Sequence, residues 1–150
     1  MPGYSGTPLA KKLGIKDGWT VFFVNAPAEV LKELKPALAT CKLVNNAKTS
    51  LDFAMVFTTS QAKLQREFKR IDKSLTASGM LWISWPKKTS GVATDVNENV
   101  VREIGLAAGL VDVKVCAVTE VWSGLKFVRR VRDREVAAKE VTAKDKRIAR

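Results

Sequence analysis

The chain has 150 residues, 46% hydrophobic content and a formal net charge of +11. Its length suits a single domain, and no apolar run reaches the roughly 18 residues that could span a bilayer. Histidine is absent and there are only two cysteines, which excludes Ser-His-Asp and Cys-His catalysis and any zinc site built on imidazole or thiolates. Cys41 and Cys116 have no CxxC partner, so both are expected to be free, buried thiols. The opening MPGYSGTPLAKK has no apolar h-region, and a cytoplasmic setting with no membrane association is expected. The positive charge suggests anionic partners. It is spread along the chain, however, with +2 in residues 1–17, +6 in residues 18–131 and +3 in residues 132–150.

Residues 1–18 read as an arm, because Gly3, Gly6, Pro8, Gly14 and Gly18 leave room for no more than one helical turn, at Leu9 to Leu13. Trp19 to Asn25 is a dense β-branched and aromatic run, expected to form a buried first strand. Pro27 suits a helix start, and Val30, Leu31, Leu34 and Leu38 carry a helix over 28–39 that Pro36 is expected to disturb. Cys41 to Val44 is a weak strand, followed by a turn at Asn45-Asn46. Leu51 to Phe57 is a stronger strand, and Thr58, Thr59 and Ser60 offer hydroxyls for an N-cap. Leu64, Phe68, Ile71 and Leu75 fall on one face of an amphipathic helix.

Gly79 is expected to break the chain before the strand Met80 to Trp85, which Pro86 stops. Asp95 and Glu98 are spaced as a capping box for a helix carrying Val100, Val101, Ile104 and Ala108, which Gly109 ends. Val111 to Val121 reads as a strand, Ser123-Gly124 as a tight turn, and Leu125 to Val131 as the return strand. Residues 132–150 mix charge with few apolar positions and read as a basic tail.

Alternation of strands and helices implies right-handed crossovers. The expected fold is a single-domain α/β, Rossmann-like three-layer sandwich over 19–131, with a mostly parallel sheet and a C-terminal antiparallel hairpin. Ligands of such sheets bind beyond the carboxyl ends of the strands. That rule selects Asn25, Thr58, Thr59, Trp85, Lys87 and Lys88 as candidate ligand-binding residues. Hydroxyls and an amide can hold a polar group, an indole can stack on it, and lysine can neutralise an anion. Tyr4 in the arm, with Trp122 and Lys126 at the hairpin, are candidate partner-facing residues. No catalytic residue is assigned.

Two resemblances follow from these stretches. GYSGTPLAKKLGIK at 3–16, LWISWPKK at 81–88 and LVDVKVCAVTEVWSGLKF at 110–127 resemble an uncharacterised bacterial family catalogued as a domain of unknown function. The order of elements in the second half, ending in an antiparallel pair, resembles the back half of a class I S-adenosylmethionine methyltransferase. That likeness implies a cofactor site at the first strand–helix turn. There the chain has Asn25-Ala26-Pro27-Ala28 in place of glycines, and Val44-Asn45-Asn46-Ala47 in place of an acid for the ribose hydroxyls. Phe57-Thr58-Thr59-Ser60 replaces the Asn-Pro-Pro-aromatic signature of amino-group methyltransferases. The cofactor is therefore unassigned, with S-adenosylmethionine a candidate that these departures do not favour. The reading from sequence is a non-catalytic binding or regulatory module on a degenerate methyltransferase-like scaffold. The alternatives are a divergent S-adenosylmethionine-dependent methyltransferase and nonspecific nucleic-acid binding through the basic surface and tail. An anionic ligand, a nucleic acid and a protein partner all remain candidate partners.

Overall fold

In the computed structural model, residues 7–134 are described. Six strands form one sheet in the order β2-β1-β3-β4-β6-β5. They are β1 (Thr20–Val24), β2 (Lys42–Val44), β3 (Leu51–Phe57), β4 (Leu75–Pro86), β5 (Leu110–Ala117) and β6 (Trp122–Arg129). The first four run parallel, while β6 is antiparallel to both β4 and β5. Helices α1 (Leu9–Leu13) and α2 (Ala28–Leu38) pack on one face. On the other lie α3 (Gln61–Asp72) and α4 (Glu98–Ala107). The expected three-layer α/β sandwich, with its antiparallel hairpin at the C-terminal end, is the fold observed.

After Asp52, β3 is apolar without alternation because both faces are covered: Phe53, Met55 and Phe57 point to the α1–α2 side, and Ala54 and Val56 to the α3–α4 side. Strand β4 divides its tryptophans the same way. Trp82 is fully buried under α1, and its indole N–H donates to the Leu13 carbonyl at 2.9 Å. Trp85, on the opposite face, packs with Ile83 and Val96. Close approach on the α4 side depends on Gly105, where a Cβ would sit 2.0 Å from the Phe127 ring. Phe127 in turn meets Phe68 edge-to-face at 5.5 Å, a favoured aromatic geometry.

Several local expectations are corrected. Leu75 opens β4 and does not close α3, which ends at Asp72; the Ser74 hydroxyl donates to the Ala47 carbonyl and fixes that exit. Gly79 does not precede the strand but lies inside β4, at a register shift between Leu51↔Leu75 and Phe53↔Met80. A Cβ there would be 2.8 Å from Thr76 Oγ1 and 3.0 Å from the Leu51 carbonyl oxygen, so glycine serves the irregularity of the ladder. Ser123-Gly124 is not the hairpin turn. Both residues belong to β6, and the chain reverses over 118–121, where Thr119 Oγ1 accepts from the amides of Val121 and Trp122. Gly124 is needed because a Cβ would meet Val118 at 2.9 Å and Trp82 at 3.1 Å. The α4 cap is Asn97, whose side chain accepts from Val100 N at 2.9 Å, not Asp95. Pro36 is accommodated inside α2, and the free thiols Cys41 and Cys116 are half-buried.

Candidate functional site at the carboxyl edge of the sheet

Strand β1 pairs with β2 on one side and β3 on the other, so the chain leaves β1 for β2 and then crosses back past β1 to reach β3. Such a switch point opens a crevice beyond the strand ends. Asn25 stands there with φ 57, the one left-handed non-glycine residue among those described. Asparagine enters this region at smaller cost than most residues, so the first strand–helix turn adopts a glycine-like bend without glycine. Pro27 follows as the N-cap of α2. Beyond β2, a groove of about 620 Å³ is lined by residues including Val44, Asn45, Asn46 and Lys48. Asn46 Nδ2 donates to Asn45 Oδ1 at 3.1 Å, and Asn46 Oδ1 accepts from Lys48 N at 2.9 Å.

At the end of β3, Thr58 is buried and its amide continues the ladder to the Ser84 carbonyl at 3.0 Å. Its hydroxyl donates to Ser60 O and accepts from Ser60 N, so it is used within its own turn. Ser60 then caps α3, accepting from Lys63 N at 3.3 Å. The Thr59 side of this turn is tied to the loop before α4. Thr94 Oγ1 donates to the Thr59 carbonyl at 2.7 Å, and Asp95 Oδ1 accepts from Gln61 N at 2.8 Å. Asp95 therefore caps α3 from across the loop.

Beyond β4, a cleft of about 770 Å³ is lined on one side by Trp85, Pro86, Lys87 and Lys88, and on the other by residues that include Val92 and Asp95. The Lys87 backbone is fixed by a bond from its amide to the Val121 carbonyl at 2.7 Å, and its carbonyl accepts from the Ser90 hydroxyl at 2.7 Å. A nearly buried indole floor with two lysines at the rim suits a planar or apolar body that carries an anionic group.

Of the sequence-selected residues, Trp85, Lys87 and Lys88 share this cleft. Asn25, Thr58 and Thr59 sit at neighbouring strand ends outside its lining. Trp122 opens β6 half-buried, edge-to-face on Phe57 at 5.3 Å. Lys126 sits in mid-strand on β6, half-buried, and burial followed by the charges of Lys114 and Lys16 pushes its pKa down. Tyr4 and residues 135–150 of the tail lie outside the described residues. Sequence reasoning missed Lys16 and Lys114 as neighbours of Lys126. It also missed the role of Asp95 in holding α3; nothing local in the sequence marks either.

Elsewhere, Arg102 bridges Asp112 at 2.9 Å and Glu98 at 2.8 Å, and the guanidinium bond holds the Asp112 carboxyl below its ordinary pKa. Burial raises the Cys116 thiol. Among the described residues there is no cluster of His, Cys, Asp or Glu that could hold a metal ion, and no helix is long and apolar enough to cross a membrane.

Comparison with known proteins gives a fold. No family model and no curated protein matches the chain. Among solved structures, a methyltransferase of calicheamicin biosynthesis in its S-adenosylhomocysteine-bound form is similar with a TM-score of 0.61 at 14% identity, over 82% of this chain and 52% of that one. Magnesium protoporphyrin IX methyltransferase from Synechocystis PCC 6803, with bound S-adenosylhomocysteine, gives 0.55 at 11% identity, covering 81% and 80%. Precorrin-6y C5,15-methyltransferase from Geobacter metallireducens GS-15 gives 0.55 at 11%, covering 81% and 86%. The chain has the Rossmann-like fold of class I S-adenosylmethionine methyltransferases.

Proposed function

We propose that the chain binds S-adenosylmethionine or S-adenosylhomocysteine at the switch point between β1 and β3, as a divergent member of the methyltransferase fold. The observation that carries this reading is Asn25 at φ 57. The missing glycines argue against the site only if the turn needs them for its bend, and asparagine supplies that bend. The first amides of α2 have no intrahelical acceptor and face the same edge, although Pro27 contributes none. After β2 the chain carries Asn45 and Asn46 in place of an acid for ribose hydroxyls, and carboxamides can both donate to and accept from such groups. When bound, S-adenosylmethionine would supply a transferable methyl group. The chain's own part would be to hold the nucleoside at β1 and β2 and to admit a second, anionic molecule to the cleft of Trp85, Lys87 and Lys88.

Calorimetric titration of the full chain with each compound tests this. Micromolar binding is expected, kept by Asn25→Gly. It should weaken about tenfold or more in Asn25→Val, because a β-branched residue resists the left-handed turn. No heat with either compound would remove the reading.

A second reading, a binding or regulatory module without chemistry, is favoured by Thr58. Its buried hydroxyl is bonded within its own turn, at the position where amino-group methyltransferases carry their polar signature. In that case a ligand of the Trp85 cleft, carried through purification and detected by native mass spectrometry, would be neither of these two compounds.

A further inference from the structure

Two lysines face each other on the α1 side of the β5–β6 hairpin, and the charge of a third, from beyond α1, bears on one of them. Lys114 and Lys126 stand directly opposite each other in the antiparallel ladder. Lys16, just beyond α1, holds its ammonium 5.5 Å from the centre of the Trp19 ring. The arrangement is built in. Lys114 Nζ donates to the Lys12 carbonyl at 3.3 Å, and Lys12 Nζ donates to the Ala117 carbonyl at 3.3 Å, which ties α1 to β5. Lys16 and Lys114 are exposed, and Lys126 is half-buried. The charges that bear on Lys126 are those of Lys114 and Lys16, and both repel it.

Like charges directly opposite on paired strands destabilise a sheet, and burial disfavours the charged form of a lysine. Three ammonium groups gathered in this way therefore weaken the free protein, and an anion placed among them offsets the repulsion. The surface is open, and lysine acts as a point charge without the planar fork that selects a single carboxylate or phosphate. Such a set suits a row of phosphates better than one enclosed anion. A net charge of +11 would draw a polyanion towards it.

We propose that this face binds the phosphodiester backbone of a nucleic acid, with Lys16, Lys114 and Lys126 each neutralising a phosphate. The proposal is independent of the cofactor reading, because the site lies on the α1 side of the hairpin and needs no second ligand.

The test is fluorescence anisotropy of the full chain with labelled single-stranded RNA, single-stranded DNA and duplex DNA of one sequence, over a range of salt. Affinity should fall linearly on a log–log plot as salt rises. In the triple variant Lys16→Gln, Lys114→Gln, Lys126→Gln the slope should shrink by about 0.7–0.9 for each phosphate no longer neutralised. A control variant, Lys32→Gln, Lys35→Gln, Lys69→Gln, removes the same charge from exposed positions on α2 and α3 and should keep both slope and affinity. A preference for one of the three probes identifies the strand type and supports the proposal. Equal losses in both triple variants would assign binding to overall charge and overturn it. So would an unchanged first variant, or binding of acidic lipid vesicles with none to any oligonucleotide. Lys126→Met guards against misreading a folding defect. It should melt no lower than the parent, because a repelled ammonium is replaced by a thioether of similar length, and should still lose affinity. A lower melting temperature with affinity retained would make Lys126 a packing residue and end the proposal.

Discussion

The two faces of the sheet are closed in different ways, and β4 shows the difference within four residues. On the α1–α2 side, Trp82 is 0% exposed and hydrogen-bonded to Leu13. A short helix is thereby latched onto the sheet through a polar contact at the centre of an apolar cluster. On the α3–α4 side, Trp85 is 5% exposed, almost as buried, yet it forms the wall of a cleft whose rim is Lys87 and Lys88. Fractional burial alone would class both rings as core. What separates them is the covering group: a helix carbonyl in one case, and a loop at the carboxyl edge in the other.

The sharpest way to test that contrast is Trp82→Ala. Loss of a fully buried ring should cost about 3–5 kcal/mol, read from denaturant midpoints. Lys87→Ala, at the rim of the other side, should change stability by less than about 0.5 kcal/mol. Equal, large losses would make Lys87 structural and erase the distinction between the two sides.

An intermediate effect probes the α4 side. Gly105→Ala places a methyl group where the Phe127 ring lies 2.0 Å away, and overpacking of this kind typically costs about 1–3 kcal/mol. Phe127→Leu in the same chain should recover part of that loss by vacating the ring's edge. A neutral Gly105→Ala would mean that α4 can shift freely from the sheet, and that the α3–α4 side is looser than its close packing implies.

The smallest effect is electrostatic. The bond from Arg102 lowers the pKa of Asp112 in the folded chain. Its contribution is therefore complete above the carboxyl's unfolded value and is lost as pH falls through the depressed folded value. The two side chains are partly exposed, so the effect should be slight and weaken with salt. The midpoint difference between the parent and Asp112→Asn should be constant near neutral pH and shrink in acid. A difference that grew on acidification would reverse the assignment.

Where the sequence was legible, one physical signal dominated. The run 51–57, apolar except for Asp52, is β3 to the residue, because a strand covered on both faces has little polar alternation to confuse the pattern. Legibility failed where two structures share one local signal. Leu75 continues the helical spacing of Ile71, yet a buried strand end needs the same leucine. Ser123-Gly124 reads as a turn because glycine is common in turns, but a glycine that admits Trp82 and Val118 against a strand looks identical in one dimension. Asp95 sits at capping-box spacing from Glu98 and caps a helix that begins 34 positions earlier. At the carboxyl edge the strand ends could be placed from their order alone. The division between the Trp85 cleft and the Asn25 turn could not, because it depends on the path of the loop between Lys88 and Asn97. The lysine cluster was hidden for the same reason, since Lys12 and Lys114 are 102 positions apart.

The tie from Asp95 to α3 gives that loop a clock. The first amides of a helix normally have no acceptor and exchange their hydrogens quickly with solvent. Gln61 is protected only while Asp95 Oδ1 stays 2.8 Å from its nitrogen, and Asp95 also lines the cleft. Exchange at this single amide therefore counts the openings of the cleft's outer wall. A molecule that holds the wall shut would slow it, and one that draws Asp95 away would release it, in both cases without a change in the sheet beneath.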